Sequence, residues 1–251
     1  MASHDQNFDG MTKRFVKNIY GTSKGKLRHT ILCELLDIYL APLANQSLSI
    51  LDIGGGTGVM SKRFALRGHK VTLVDASGEI IEHAKTEMKG LNNVTFRQAS
   101  LYELEDINQY DLVICHAVLE WLDKPLDAVK HIVSQLGDDA MLSLSFFNRD
   151  AALFGNAVYG NFEYIAKGMK VKNQIKLNPN NPVVPRDVIN VVEDSGAQVK
   201  EVAGVRCFHD YLKKVIDSEA MYNELLELER QYCRQEPYKW LGKYLHLLIK
   251  A

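Results

Sequence analysis

A short apolar segment, residues 48–53, runs directly into the glycine-rich residues 54–58 (Gly-Gly-Gly-Thr-Gly). Glycine lets the backbone adopt positive φ angles and lets a ligand approach the main chain closely. A helix that follows such a turn directs its free amides and the positive end of its dipole to the same place. The turn is not a dinucleotide fingerprint, because Val59 occupies the position of the third glycine, nor a P-loop, because no Gly-Lys-Ser/Thr follows. The segment therefore predicts a strand-turn-helix unit that binds a ligand by a different pattern.

Two acidic residues accompany this turn. Asp52 precedes it, and Asp75 ends the next apolar segment, residues 70–74. A carboxylate at the tip of the second strand is placed to accept hydrogen bonds from both hydroxyls of a ribose. The alternative for Asp75 is an exposed acidic residue in an ordinary turn.

Strand and helix patterns alternate along the rest of the chain, which predicts right-handed βαβ units and a parallel sheet covered by helices on both faces. The helical spacing of Leu27, Ile31, Leu35 and Ile38 predicts a helix before Pro42. Ser77 is a candidate N-cap. The predicted strands cover residues 48–53, 70–74, 94–96, 111–115, 140–147, 198–205 and 240–249. The predicted later helices cover residues 77–89, 125–136, 186–195 and 219–234.

We expect one domain over residues 1–251. Its predicted parts are an N-terminal helical cover (1–45), a cofactor-binding half (46–147), an insertion (148–184) and a C-terminal substrate-side half (185–251).

Composition restricts the classes of function. With 46% hydrophobic and 24% charged residues the chain is typical of a globular protein, and its formal net charge of -1 argues against a generally basic nucleic-acid-binding protein. A local basic patch remains compatible with this balance. The cysteines lack metal-site spacing and are expected to be thiols, and no apolar run reaches the roughly 20 residues of a membrane span. We expect a cytoplasmic protein without a metal.

The glycine turn together with Asp75 resembles the class I S-adenosylmethionine-dependent methyltransferases. Further blocks resemble one bacterial family within that class, the tRNA 5-carboxymethoxyuridine methyltransferases. These blocks are residues 7–9, 18–22, 24–28, 116–121, 160–162, 204–206, 208–212 and 232–238. The resemblance implies a seven-stranded, Rossmann-like α/β fold, mainly parallel with helices on both faces.

The resemblance also implies an activity and a cofactor site. The activity is methylation of the carboxylate of 5-carboxymethoxyuridine, at the wobble position in the anticodon loop of tRNA, to the methyl ester. The cofactor is S-adenosyl-L-methionine. The implied cofactor-binding residues are Arg28, Gly54, Gly55, Asp75, His116 and an adenine-side pair, Leu101 and Tyr102. The chain departs from the family pattern at this pair, because neither residue is acidic.

An anionic substrate requires cations. We expect Arg206, Tyr211 and Arg234 to recognise the modified uridine, although each arginine could instead form a structural pair with Asp210 or Glu236. We also expect Lys167, Lys170, Lys172 and Lys176, beside Phe162, Tyr164 and Met169, to dock tRNA, unless these lysines form only a solvated surface.

A carboxylate is ionised at pH 7, so we expect no residue to act as an obligatory general base. Two alternatives remain open at this point. One is a methyltransferase for a small carboxylic acid or phenol, and the other is a binding module that retains the nucleoside pocket without turnover.

Overall fold

The computed structural model describes residue 10 and residues 22–169 and 181–251. Within them a seven-stranded sheet forms the centre of the protein. Its strands are β1 (Ser49–Ile53), β2 (Lys70–Asp75), β3 (Val94–Gln98), β4 (Leu112–His116), β5 (Met141–Phe147), β6 (Gln198–Val205) and β7 (Tyr244–Lys250).

Helices connect and cover these strands. They are α1 (Ser23–Leu40), α2 (Val59–Ala65), α3 (Gly78–Glu87), α4 (Pro125–Val133), α5 (Arg149–Val158), α6 (Phe162–Ala166), α7 (Pro185–Asp194) and α8 (Glu219–Tyr232). Side-chain oxygens cap several of them: Thr22 accepts a hydrogen bond from Gly25 N at the start of α1. The predicted cap at Ser77 is confirmed, since its hydroxyl accepts from Ile80 N (3.3 Å).

The strand order is β3-β2-β1-β4-β5-β7-β6. Neighbouring strands pair in parallel except β7, which is antiparallel to both β5 and β6. Tyr244 at the start of β7 therefore lies beside Phe147 and Val205, the last residues of β5 and β6. We call this side of the sheet the carboxyl edge. The strand order reverses between β1 and β4, where open α/β sheets bind ligands beyond the carboxyl ends of their strands. The predicted Rossmann-like class I fold is confirmed.

The apolar core lies on both faces of the sheet. One face packs against α1, α2 and α8, and the other against α4 and α7. Buried residues of the first face include Leu27, Ile31, Phe64, Ala203 and Leu226. Buried residues of the second include Val129, Ile132, Leu142, Val188 and Val192.

The helix predicted before Pro42 is present as α1, but Ile38, one of the residues whose spacing predicted it, is not on its buried side. Its side chain is 52% exposed, because the buried side of α1 continues through Leu32, Leu36 and Leu40.

The last strand starts later than predicted. Residues Tyr238–Leu241 form a short 3-10 helix instead of strand. Gly242 then passes so close to β6 that a Cβ on it would lie 2.6 Å from the Gly204 Cα atom. This close approach separates the helical turn from β7, which begins two residues later.

The segment after β5 also contains more regular structure than predicted. Asn148 caps α5 by accepting hydrogen bonds from the backbone of Asp150 (2.9 Å) and Ala151 (3.3 Å). Both α5 and α6 lie within the predicted insertion, and residues 170–180 lie outside the described part of the chain. No helix within residues 22–169 and 181–251 is long and apolar enough to cross a bilayer. All four cysteines are buried and free of disulfides.

Candidate active site at the carboxyl edge of the sheet

The glycine turn follows β1 at the carboxyl edge. Gly54 has a φ of 63°, a left-handed conformation that favours glycine. A Cβ on Gly54 would lie 2.5 Å from Val118 Cγ2, and one on Gly55 would lie 3.0 Å from the Asp52 carboxyl carbon. The two residues predicted to contact the cofactor are therefore positions where a side chain does not fit. Both glycines are nevertheless partly exposed at this edge.

Asp75 ends β2 and joins two loops at this edge. Its Oδ2 accepts a hydrogen bond from Gly56 N (3.1 Å), and its Oδ1 accepts one from Ser77 N (2.9 Å). Each carboxylate oxygen can accept more than one hydrogen bond, so a carboxylate that binds backbone amides can also accept from hydroxyl donors. Asp75, the residue predicted to bind the ribose, thus lies beside the glycine turn with its carboxylate in a fixed orientation.

Asp52 lies beneath the turn and is buried. It accepts a hydrogen bond from the Ser61 hydroxyl (2.6 Å), which ties the end of β1 to α2. Burial raises the pKa of Asp52 to about 6, and the nearby charge of Asp75 adds to the effect. The arrangement supports the glycine turn from below rather than facing a ligand.

His116 ends β4 and belongs to a buried hydrogen-bond chain. Its Nε2 lies 2.7 Å from the Ser143 hydroxyl, which lies 2.8 Å from Nε2 of His246. Burial lowers the pKa of His246 to about 3 and also lowers that of His116 well below its usual range. Both rings are therefore neutral, and the chain fixes the orientation of His116 at the edge. Ala117, the next residue, has a φ of 57°, a strained conformation for a residue with a side chain.

Arg28 reaches the carboxyl edge from α1. Its guanidinium carbon lies 5.2 Å from the centre of the Tyr244 ring. Among the described residues no carboxylate lies within 4 Å of it, so its charge is available to an acidic ligand group. The neighbouring Glu120 is buried, and burial raises its pKa to about 7 although backbone amides and the charge of Arg28 oppose this.

The adenine-side pair follows β3 in a short 3-10 helix, Leu101–Glu103. Leu101 is buried in the apolar cluster that also includes Ile53 and Val74. Tyr102 is more exposed, and its hydroxyl donates a hydrogen bond to the Lys124 carbonyl (3.2 Å). The pair thus follows a strand that neighbours β2, on the same side of the sheet as Asp75.

Arg206 follows β6 and is buried in an ion pair. Its Nε donates to Asp210 Oδ2 (2.7 Å), and a second guanidinium nitrogen donates to the other carboxylate oxygen. Burial alone would raise the pKa of Asp210, but the Arg206 charge outweighs it and the pKa is lowered. The φ of Arg206 is 64°, so this residue is strained as Ala117 is. The Asp210 pairing that the sequence left open as an alternative is present.

Tyr211 and Arg234, the other predicted substrate residues, occupy different surroundings. The Tyr211 hydroxyl donates to the Leu241 carbonyl (2.8 Å) and lies 3.3 Å from the Ala151 carbonyl, so it joins α5 to the 3-10 helix that precedes β7. Arg234 pairs with Glu201 (2.8 Å), well before the end of β6. The structure brings Arg206 and Tyr211 to the same loop but does not place Arg234 with them.

Sequence reasoning missed one cation at this edge. Lys243 precedes β7, and its ammonium lies 4.6 Å from the centre of the Phe147 ring. The predicted strand over residues 240–249 placed Lys243 within a strand and not at the edge of the sheet, so it was not predicted as a site residue. The only signal for it was its position directly after Gly242.

Comparisons with known proteins identify the family. A family model described as "Methyltransferase domain" matches residues 25–192. The tRNA 5-carboxymethoxyuridine methyltransferase of Escherichia coli (strain K12) is 42% identical, with 98% of this chain and 96% of the relative covered. This chain belongs to the tRNA 5-carboxymethoxyuridine methyltransferase family. The methyltransferase predicted from the sequence is thereby confirmed.

More distant matches are to other methyltransferases. The ubiquinone biosynthesis O-methyltransferase of Rickettsia prowazekii (strain Madrid E) is 32% identical over 63% of this chain and 62% of its own length. Magnesium protoporphyrin IX methyltransferase from Synechocystis PCC 6803, solved with bound SAH, has a TM-score of 0.65 at 18% identity. That comparison covers 96% of this chain and 94% of the other, and it shows the same fold.

Proposed function

We propose that this chain methylates the carboxylate of 5-carboxymethoxyuridine at the wobble position of tRNA and forms the methyl ester. The observation that carries the proposal is the 42% identity to the Escherichia coli enzyme, because it extends over nearly the whole of both chains. It includes the part of the chain after residue 192, beyond the general methyltransferase match. We further propose that the enzyme acts in the cytoplasm, where its tRNA substrate is found.

The carboxyl edge fits S-adenosyl-L-methionine. Gly54 and Gly55 are partly exposed at this edge, and each oxygen of the Asp75 carboxylate can accept more than one hydrogen bond, as from ribose hydroxyls. Arg28 provides a guanidinium for the carboxylate of the methionine part. Leu101, Tyr102 and His116 would complete the site at the ends of β3 and β4. When bound, the cofactor supplies an electrophilic methyl group on a sulfonium.

The main contribution of the protein to this reaction is to position the two reactants. The substrate carboxylate is already ionised near neutral pH, so the residues need only hold one of its oxygens in line with the methyl group. His116 is neutral and held by Ser143, which suits it to shaping the site rather than accepting a proton. We therefore retain the prediction that no residue acts as an obligatory general base.

The surface of α5 and α6 supplies candidate contacts for the anticodon loop. Phe154, Tyr159 and Phe162 are 44%, 56% and 68% exposed, and aromatic rings stack on unpaired bases. Lys167, at the end of α6, pairs with Glu163 (2.5 Å). The predicted contacts Lys170, Lys172 and Lys176 lie outside the described residues.

The proposal is tested by nucleoside analysis and by transfer in vitro. A strain that lacks this gene should accumulate 5-carboxymethoxyuridine and lose its methyl ester, as measured by mass spectrometry of wobble nucleosides. The purified protein should transfer methyl groups to tRNA that carries the carboxylate and not to the same tRNA with plain uridine. Persistence of the ester in the deletion strain, or transfer to a free small acid but not to tRNA, would contradict the proposal.

A further inference from the structure

Lys243 is held in place by the backbone at the carboxyl edge. Its N–H donates to the Arg206 carbonyl (3.2 Å), and its carbonyl accepts from Asn148 N (3.1 Å). The residue is thus tied to the loops that follow β5 and β6. Such fixed backbone limits where the side chain can reach.

The side chain of Lys243 is half-buried. Its ammonium lies over the Phe147 ring at 4.6 Å from the ring centre. Within residues 22–169 and 181–251 it makes no hydrogen bond and no ion pair within 4 Å. Burial lowers its pKa, and the charges of Arg206 and Lys24 add to this while that of Asp210 opposes it. A charge taken out of water without a partner is unfavourable.

Asp210, whose carboxylate charge acts on Lys243, is already paired with Arg206. Asp210 receives both hydrogen bonds of the Arg206 fork. His209 also lies near it (3.8 Å), but burial lowers the pKa of His209, so this ring carries little positive charge at neutral pH. Lys243 and Lys24 therefore add positive charge that Asp210 does not balance. The group as a whole favours an incoming anion.

The location suits the reacting group of the substrate. Phe147, which the ammonium covers, ends β5, and β5 is the direct neighbour of β4, which ends at His116. Adjacent strands lie about 5 Å apart, so an anion at Lys243 would lie within about two strand spacings of the proposed cofactor site. A lysine is a point donor, which can hold one carboxylate oxygen and leave the other to react.

We propose that Lys243 binds the carboxylate of the modified uridine and is the residue that distinguishes it from uridine. This inference rests on the proposed function. It assigns the substrate contact to Lys243 rather than to Arg206, whose guanidinium is already hydrogen-bonded to Asp210. A tRNA without the carboxylate would leave the ammonium buried and unpaired, which penalises binding of the wrong substrate. A phosphate of the tRNA backbone offers the same anionic oxygens, and the experiment separates the two.

The test compares two tRNAs that differ only in the carboxymethoxy group, with the full-length enzyme and SAH present. Lys243→Met keeps the length and the packing on Phe147 but removes the charge. We expect it to weaken binding of the carboxylate-bearing tRNA by about ten- to one-hundredfold. Binding of the uridine tRNA should not weaken, because the substitution removes the penalty of the unpaired ammonium. Lys243→Arg should restore part of the discrimination. Lys250→Met, at the far end of β7 and paired with Asp139, is the matched control and should change neither affinity.

Each outcome is decisive. Equal weakening of both tRNAs would show a phosphate contact and overturn the proposal, as would unchanged discrimination in Lys243→Met. Thermal unfolding and SAH affinity of each variant exclude a folding defect, and if Lys243→Met does not fold, loss of discrimination in Lys243→Gln decides instead. Failure of the wild-type enzyme to methylate either tRNA would refute the proposed function itself, and this inference with it.

Discussion

Substitution of Gly54 by alanine tests whether the glycine turn is shaped for a bound ligand. Alanine at this position must adopt a φ near 63°, and its methyl group would lie 2.5 Å from Val118 Cγ2. Valine is branched at Cβ and has little rotamer freedom with which to move away. The turn or the segment after β4 must therefore shift, and both contribute to the proposed cofactor site.

Two costs add in this variant. The left-handed conformation costs an alanine about 1–2 kcal/mol, and forcing a methyl group into a packed site costs about 1–3 kcal/mol. We expect Gly54→Ala to lower the free energy of unfolding by about 2–5 kcal/mol. Gly90→Ala is the control, because Gly90 also has a positive φ (93°) but no atom within 4 Å of an added Cβ. Gly90→Ala should lose only the part of the unfolding free energy that the left-handed conformation costs.

Urea unfolding and calorimetric titration with SAH measure the two consequences. Gly54→Ala should lose more stability than Gly90→Ala and bind SAH at least about tenfold more weakly, whereas Gly90→Ala should bind it normally. Adding Val118→Ala to Gly54→Ala should recover part of the stability, because it removes the clashing methyl groups. Equal stability losses in the two glycine variants, together with normal SAH affinity in Gly54→Ala, would refute the reasoning.

Two further variants test the charges at the carboxyl edge. Burial raises the pKa of Glu120 from 4.5 to about 7, so its stabilising contribution is fully present below pH 4.5 and is lost as the pH rises through about 7. Relative to the wild type, Glu120→Gln should therefore gain about 2–3 kcal/mol of unfolding free energy between pH 5 and pH 8, and a pH-independent difference in urea unfolding would contradict this. Arg206→Ala leaves the carboxylate of Asp210 buried and unpaired and should lower stability by about 3–5 kcal/mol, with Arg206→Ala/Asp210→Ala less affected. A higher KM for tRNA in Arg206→Ala without any loss of stability would instead indicate direct substrate contact.

Local sequence patterns were enough to predict most of the sheet. The strands β1, β2 and β6 are apolar segments with clear polar or glycine boundaries, and their observed bounds differ from the predicted ones by one residue or less. Ser77 was recognisable as a cap because N-capping depends only on the residues that follow it. The glycine turn and Asp75 lie together because parallel strands end at a common edge. These features depend on short stretches of chain or on fold topology.

The partners of charged side chains could not be predicted in the same way. Arg206 and Arg234 look equivalent in the sequence, yet one pairs with Asp210 in a loop and the other with Glu201 on β6. Which acid an arginine meets depends on the packing of distant segments. The start of β7 was also hidden, because the break at Gly242 follows from its close approach to Gly204, a residue far away in the chain.

Net charge likewise does not predict whether this protein can recognise an anion. A formal charge of -1 indicates no preference for a polyanion, and of the cations described at the carboxyl edge Arg206 is paired with an acid, Asp210. What recognises an anion is a cation whose position is fixed and whose charge is not already balanced. Arg206 has the first property only, because Asp210 takes its hydrogen bonds. Lys243 has both, so a single half-buried ammonium can give selectivity for a carboxylate to a protein that is close to neutral overall.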